Sequence, residues 1–143
     1  MMTAKNYHEL IKDRIYIGGA DDVKDVLENE KPDILFDLRA ESHERQSDYN
    51  YVHSPIVDDG KHQDESIKKS IEHVVNAYNE GKKVYFHCGG GSGRTGTVAV
   101  GTLLSLGKAK TLAEAEEMAK AARPKINVKP QMKEALQRIF PHA

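Results

Sequence analysis

Lys83-Val-Tyr-Phe-His87-Cys88-Gly-Gly-Gly-Ser-Gly93-Arg94-Thr95-Gly96 is the stretch that decides the fold. Its first five residues have the β-branched and aromatic content of a strand. From residue 95 to 106 the chain is apolar on nearly every side, which predicts a buried central helix ending at Gly107. Between strand and helix stand four glycines, at 89, 90, 91 and 93. Such a crossover turns successive backbone N–H groups toward an anion, and the helix N-terminus adds positive potential.

The flanking sequence repeats the alternation of strand and helix. Residues 14–19 read as a strand, carried by Ile15, Tyr16 and Ile17 and stopped at a Gly-Gly turn. A helix follows, with Asp21 or Asp22 as its cap and Val23, Val26 and Leu27 on its buried face. Residues 33–38 form a compact apolar run after Pro32, the pattern of a strand covered on both faces in a parallel sheet. Residues 40–50 are polar and aperiodic, hence a loop. Residues 51–57 are extended again and end at the turn Asp58-Asp59-Gly60. Ile67, Ile71, Val74, Val75 and Tyr78 recur at helical spacing, predicting a helix from about Asp64 to Glu80. Thr111 and Glu114 make a capping box for a helix through Ala122, stopped at Arg123-Pro124, and a last helix starts at Pro130. The expected architecture is a single α/β domain over residues 1–143, with a mainly parallel sheet flanked by helices. Ligands of such sheets bind at the carboxyl ends of the strands, where Asp58 and Cys88 both fall.

Composition limits the chemistry. With 38% hydrophobic and 30% charged residues in 143, the chain suits one soluble domain with its own core. The opening MMTAKNYHELIKD meets charge too early for a secretory signal, and no apolar run approaches the length of a membrane span, so the expected address is the cytoplasm. A net charge of −1 argues against nucleic acid as partner. The charge is uneven: residues 105–143 hold eight Lys and Arg against four Asp and Glu. That surplus suits solvated helix faces first, and a basic rim for anionic substrates second. One cysteine rules out an intramolecular disulfide and a thiolate-rich metal site. No metal or other cofactor is expected; the remaining histidines lack ligand spacing and read as surface residues.

Cys88 stands first in the glycine loop, where the same field favours thiolate over thiol. Arg94, six residues on, can hold two equatorial phosphoryl oxygens with its planar guanidinium. Gly89, Gly90, Gly91, Ser92 and Gly93 complete the cradle. His87 can orient the loop through ring hydrogen bonds, and Thr95 can donate its hydroxyl to the sulfur. Taken singly these residues have plainer readings, as a core thiol, a flexible turn and a satisfied core histidine. Taken together they fit one crossover better than coincidence. A nucleotide-binding loop is the nearest rival, but Cys88 stands where its first glycine belongs and Arg94 where its lysine belongs.

His87-Cys88-Gly-Gly-Gly-Ser-Gly-Arg94-Thr95-Gly96 resembles the signature of the cysteine-dependent protein tyrosine phosphatases. The chain is most similar to the small dual-specificity branch, including archaeal-type tyrosine phosphatases and kinase-associated phosphatase. His53-Ser-Pro55-Ile56-Val-Asp58 is similar to the acid loop of that branch, and Arg123-Pro124 with Gln131 to its C-terminal pattern. The resemblance implies a dual-specificity phosphatase-like fold, a phosphorylated protein substrate, a phosphocysteine intermediate and no metal. Asp58, thirty residues before Cys88, is the expected general acid, with its neighbour Asp59 as alternative. Gln131 is a candidate to position water, or simply a helix start. Arg39 can brace the site through a carboxylate or form an ordinary ion pair. Two other readings stay open: a phosphoprotein-binding module without turnover, and sulfur or arsenate chemistry on the cysteine loop.

Overall fold

The computed structural model describes residues 6–40, 50–57 and 60–143, with Gly60 and Lys61 by backbone alone. Five strands make one sheet in the order β1-β2-β5-β3-β4, with β1 at His8–Ile11, β2 at Ile15–Gly19, β3 at Ile34–Asp37, β4 at Tyr51–His53 and β5 at Val84–Cys88. The strand β5 is central, pairing in parallel with β2 and β3, and β3 pairs in parallel with β4. Only β1 runs antiparallel, as a hairpin on β2. The sheet is therefore mainly parallel, as expected, with one strand more than the sequence announces.

Alternation along the strands sorts the side chains to two faces. Ile15, Ile17, Phe36, Val84, Phe86 and Cys88 belong to the larger core, which helices α2 (Gly60–Asn79), α3 (Gly93–Ser105), α4 (Leu112–Ala122) and α5 (Pro130–Ile139) cover. Tyr16, Leu35 and Tyr85 face the other way, onto Val26 of the short helix α1 (Val23–Asn29) and onto Tyr7. The helix α3 is buried from Thr95 to Leu103 and lies so close to α2 that a Cβ on Gly101 would meet Ile71 at 2.1 Å. Glycine is required there by the approach of the two helices.

Three local expectations change. The helix α2 begins at Gly60, four residues before Asp64, because residues 60–63 carry no apolar periodicity although Gln63 is buried. Asp22 is the N-cap residue of α1, as expected, but its side chain makes no cap bond there: its Oδ2 accepts the Gly19 N–H at 2.9 Å and fastens the single turn of 3-10 helix (Ala20–Asp22) that precedes it. The capping box of α4 closes one residue early, with Glu114 N–H on Thr111 Oγ1 at 3.1 Å and Lys110 N–H on Glu114 Oε1 at 3.0 Å.

Candidate active site

Parallel pairing brings the carboxyl ends of β2, β5, β3 and β4 to one edge. There Gly19 stands beside Cys88, Asp37 beside His87, and His53 beside Asp37. Cys88 is the last residue of β5 and is 6% exposed, its sulfur on the helix-covered side. The chain then turns through residues 89–92 into α3, so the loop closes directly on the helix N-terminus.

Four donors converge on the sulfur. The Thr95 hydroxyl donates to Sγ at 3.1 Å, and the backbone N–H groups of Thr95, Ser92 and Gly91 point to it as well. Burial pushes the Cys88 thiol up; these donors outweigh it and hold the thiol below its usual range. Arg94, the second residue of α3, shares with Cys88 a cleft of about 400 Å³ walled by Ser92, Asn127, Lys129 and Met132. A cleft over the sulfur, lined by the glycine loop and by Arg94, suits a tetrahedral oxyanion.

The loop is held from behind. Gly91 has φ +73°, and a Cβ there would stand 2.6 Å from both the Gly18 carbonyl and the Arg123 guanidinium. It is the glycine the loop requires. Space over Gly89 and Gly90 is empty, so their missing Cβ atoms clear room for a ligand rather than relieve the backbone. Arg123, 2% exposed, donates through Nε to the Gly91 carbonyl at 2.8 Å and through Nη2 to the Gly90 carbonyl at 3.3 Å. Its Nη1 donates to the Asn6 carbonyl and to His8 Nδ1. Burial and the Arg123 charge hold His8 below the usual imidazole range, consistent with a ring that accepts. His8 and His73, which stacks on Phe36, are therefore half-buried structural groups rather than the surface residues expected.

His87 serves the loop from the opposite face of the sheet. Its ring stacks on Tyr85, and Nδ1 lies 3.0 Å from the Cys88 carbonyl, which can only accept, so Nδ1 carries the hydrogen. It steadies the backbone of the nucleophile and does not touch the sulfur side. Beside it lies Asp37, fully buried. Burial would raise this carboxyl, but the Arg39 side chain and backbone N–H and the Tyr51 hydroxyl, at 2.7 Å, hold it down at about 2, with His87 adding to them. Arg39 binds Asp37 through both Nε and Nη2, at 3.0 and 2.8 Å. The carboxylate that Arg39 braces is thus its own strand neighbour. Asp37 is not evident in the sequence as a site residue, since it hides in an apolar run; Arg123 is marked there only as a helix stop and as part of the family-like C-terminal pattern, without its role at the loop.

Asp58 and Asp59 lie outside the described residues. The chain leading to them continues along β3, with Ser54 N–H on the Asp37 carbonyl at 2.8 Å and Ile56 N–H on the Leu38 carbonyl at 3.1 Å, at the same edge as Cys88. Gln131 is exposed on the first turn of α5 and does not line the cleft, whereas its neighbour Met132 does. Among the described residues no group of three or more His, Cys, Asp or Glu could hold a metal ion, and no helix is long and apolar enough to cross a membrane.

Residues 28–138 match the family model described as Swiss Army Knife protein, DSP-PTPase phosphatase domain. No curated protein sequence matches the chain. Among solved structures, human DUSP28 is similar with a TM-score of 0.79 at 17% identity, over 95% of this chain and 93% of its own. Tk-PTP in the active form gives 0.77 at 22% identity, over 99% of this chain and 100% of its own. PTPMT1 in complex with PI(5)P gives 0.77 at 16% identity, over 95% of each chain. At these identities the likeness is one of fold.

Proposed function

The chain belongs to the DSP-PTPase phosphatase domain family and is a dual-specificity protein tyrosine phosphatase, and on that premise we propose that it hydrolyses phosphotyrosine, with phosphoserine and phosphothreonine as slower substrates, through a phosphocysteine intermediate. The observation that carries this reading is the convergence of the Thr95 hydroxyl and three backbone N–H groups on the Cys88 sulfur. Donors that stabilise a thiolate also suit the equatorial oxygens of a phosphoryl group in flight.

In the first step the Cys88 thiolate attacks phosphorus while Arg94 and the N–H groups of residues 89–94 hold the non-bridging oxygens. The bond to the leaving oxygen breaks, and Asp58 gives that oxygen a proton. In the second step Asp58, now a carboxylate, takes a proton from water as the water oxygen attacks phosphorus. Inorganic phosphate leaves and the thiolate returns. Gln131 is exposed beside the cleft-lining Met132, so a part in orienting that water would require its side chain to turn toward the cleft. The domain is read as residues 1–143, since β1 and β2 precede the matched stretch yet belong to its sheet. A single thiol that works as thiolate suits the reducing cytoplasm.

PTPMT1 holds a phosphoinositide, PI(5)P, in the similar structure. Here the five residues between Cys88 and Arg94 include no cation, which favours a phosphoprotein over an inositol lipid. Rapid acid quenching with p-nitrophenyl phosphate tests the mechanism: the peptide bearing Cys88 should gain one phosphoryl group in the wild type and none in Cys88→Ser. Full turnover with no phosphorylated Cys88 at any time would overturn it.

A further inference from the structure

The connection between α4 and α5 lies along the mouth of the Cys88 loop. Arg123 ties its start to the Gly90 and Gly91 carbonyls, the Ser92 hydroxyl donates to the Lys125 carbonyl at 3.0 Å, and Asn127 N–H reaches the Ser92 carbonyl at 3.3 Å. Between these ties the side chains alternate. Ile126 and Val128 are buried in the core, at 3% and 4% exposure, so Lys125, Asn127 and Lys129 stand outward. Lys129 and Asn127 border the cleft over Cys88. Lys125 borders a second, polar cleft of about 470 Å³ that passes over Gly19 toward His8 and Asp22. The two clefts share Gly89 and Gly90, the positions where nothing stands within 4 Å of an added Cβ.

Four other cations of residues 105–143 are already engaged, while Lys108 and Lys110, at the far end of α3, line neither cleft. Lys120 and Lys133 pair with Glu116 at 3.5 and 3.1 Å, Arg138 pairs with Asp64, and Arg123 is internal. Among the described residues neither Lys125 nor Lys129 has an ion pair. Of the acids nearby, Asp22 is bonded to Gly19 N–H and Asp21 lies on the outer lip of the second cleft. The basic surplus thus falls in part on the rim of the site.

We propose that Lys125 and Lys129 form anion subsites on the two sides of the loop, selecting phosphorylated protein segments with acidic residues flanking the phosphoresidue. This rests on the phosphatase reading above. An extended chain leaves the loop in two directions, over the open Gly89–Gly90 saddle and along Asn127, and meets one ammonium on each course. A lipid surface fits poorly. The one exposed large hydrophobic side chain among the described residues, Met118, is on α4 and lines neither cleft.

Synthetic phosphotyrosine peptides of equal length with acidic, neutral or basic flanks test this by kcat/KM, alongside vesicles carrying a phosphoinositide. Exposed ion pairs are individually weak, so the wild type should favour acidic over neutral flanks by about ten-fold at low salt, and high salt should erase the preference. In Lys125→Ala/Lys129→Ala the ratio should fall to near one; in the double Glu variant it should reverse toward basic flanks. Asp21→Asn should raise it slightly. Equal turnover of acidic and neutral peptides by the wild type at low salt overturns the subsites while leaving the phosphatase reading intact, and needs no variant to fold. Preference for the vesicles over every peptide also overturns the proposal. No hydrolysis of any phosphoester would instead remove the reading on which it rests.

Discussion

The ends of β5 and β3 lie side by side at one edge of the sheet, and each buries an anion, in opposite ways. At the end of β5 the Cys88 sulfur is held by backbone N–H groups and one hydroxyl, with a cleft left open above it. At the end of β3 the Asp37 carboxylate is held by Arg39 and Tyr51 and is fully covered. Backbone donors bring partial charge and no bulk, so they stabilise an anion without closing its face. A guanidinium fork neutralises it completely and takes up the space. The first arrangement leaves a nucleophile; the second leaves a brace.

The contrast can be broken first at the open anion. Cys88→Ser should lower turnover of p-nitrophenyl phosphate by at least ~10³-fold while retaining phosphopeptide binding, measured by steady-state kinetics and calorimetry. Wild-type turnover in a homogeneous sample would remove the nucleophile from β5. A smaller effect, about 10²-fold, is expected for Asp58→Asn on alkyl phosphates, with much less loss on p-nitrophenyl phosphate because its leaving group needs no proton. Asp59→Asn should do less, and the reverse ranking would move the acid by one residue.

The closed anion should answer in stability. Its carboxyl titrates at about 2 when folded against an ordinary 3.8, so it binds a proton less readily in the native state. Its stabilisation is therefore complete above about pH 4 and is lost as the pH falls toward 2, by about 2 kcal/mol, or ~30-fold in the folding equilibrium. Denaturant titrations across that range should show the loss in the wild type and not in Asp37→Asn, which should be destabilised by a similar amount at neutral pH. Finally, Thr95→Ala removes one of four donors from the sulfur. The rate of alkylation by iodoacetamide should shift its midpoint to higher pH, with turnover falling roughly ten-fold at neutral pH. An unmoved midpoint would mean that the backbone alone holds the thiolate.

What the sequence discloses follows the same division. The strand, loop and helix around Cys88 are legible because each step has a local cause: β-branched residues, glycines, then an apolar helix. The strand β1 is not, since four residues of mixed polarity acquire their pairing only from β2. Asp37 reads as one polar residue in an apolar run, because its partner Tyr51 comes from another strand. Arg123 reads as a helix stop, since nothing local reveals carbonyls at residues 6, 90 and 91. The alternation Lys125-Ile126-Asn127-Val128-Lys129 was a usable signal: period two beside a signature loop marks an anchored, outward-facing edge.

The Arg123 tether also bears on how the molecule comes together. Its guanidinium joins Asn6 and His8 to the Cys88 loop across sequence separations of 117, 115, 32 and 33 residues. Contacts of such span close only after the intervening chain has collapsed, because their loop entropy is lost before the bonds form. The helices and the β2-β5-β3 core can assemble without them. The bracing of the oxyanion loop is thus complete only once the N-terminal segment and the α4–α5 connection have met.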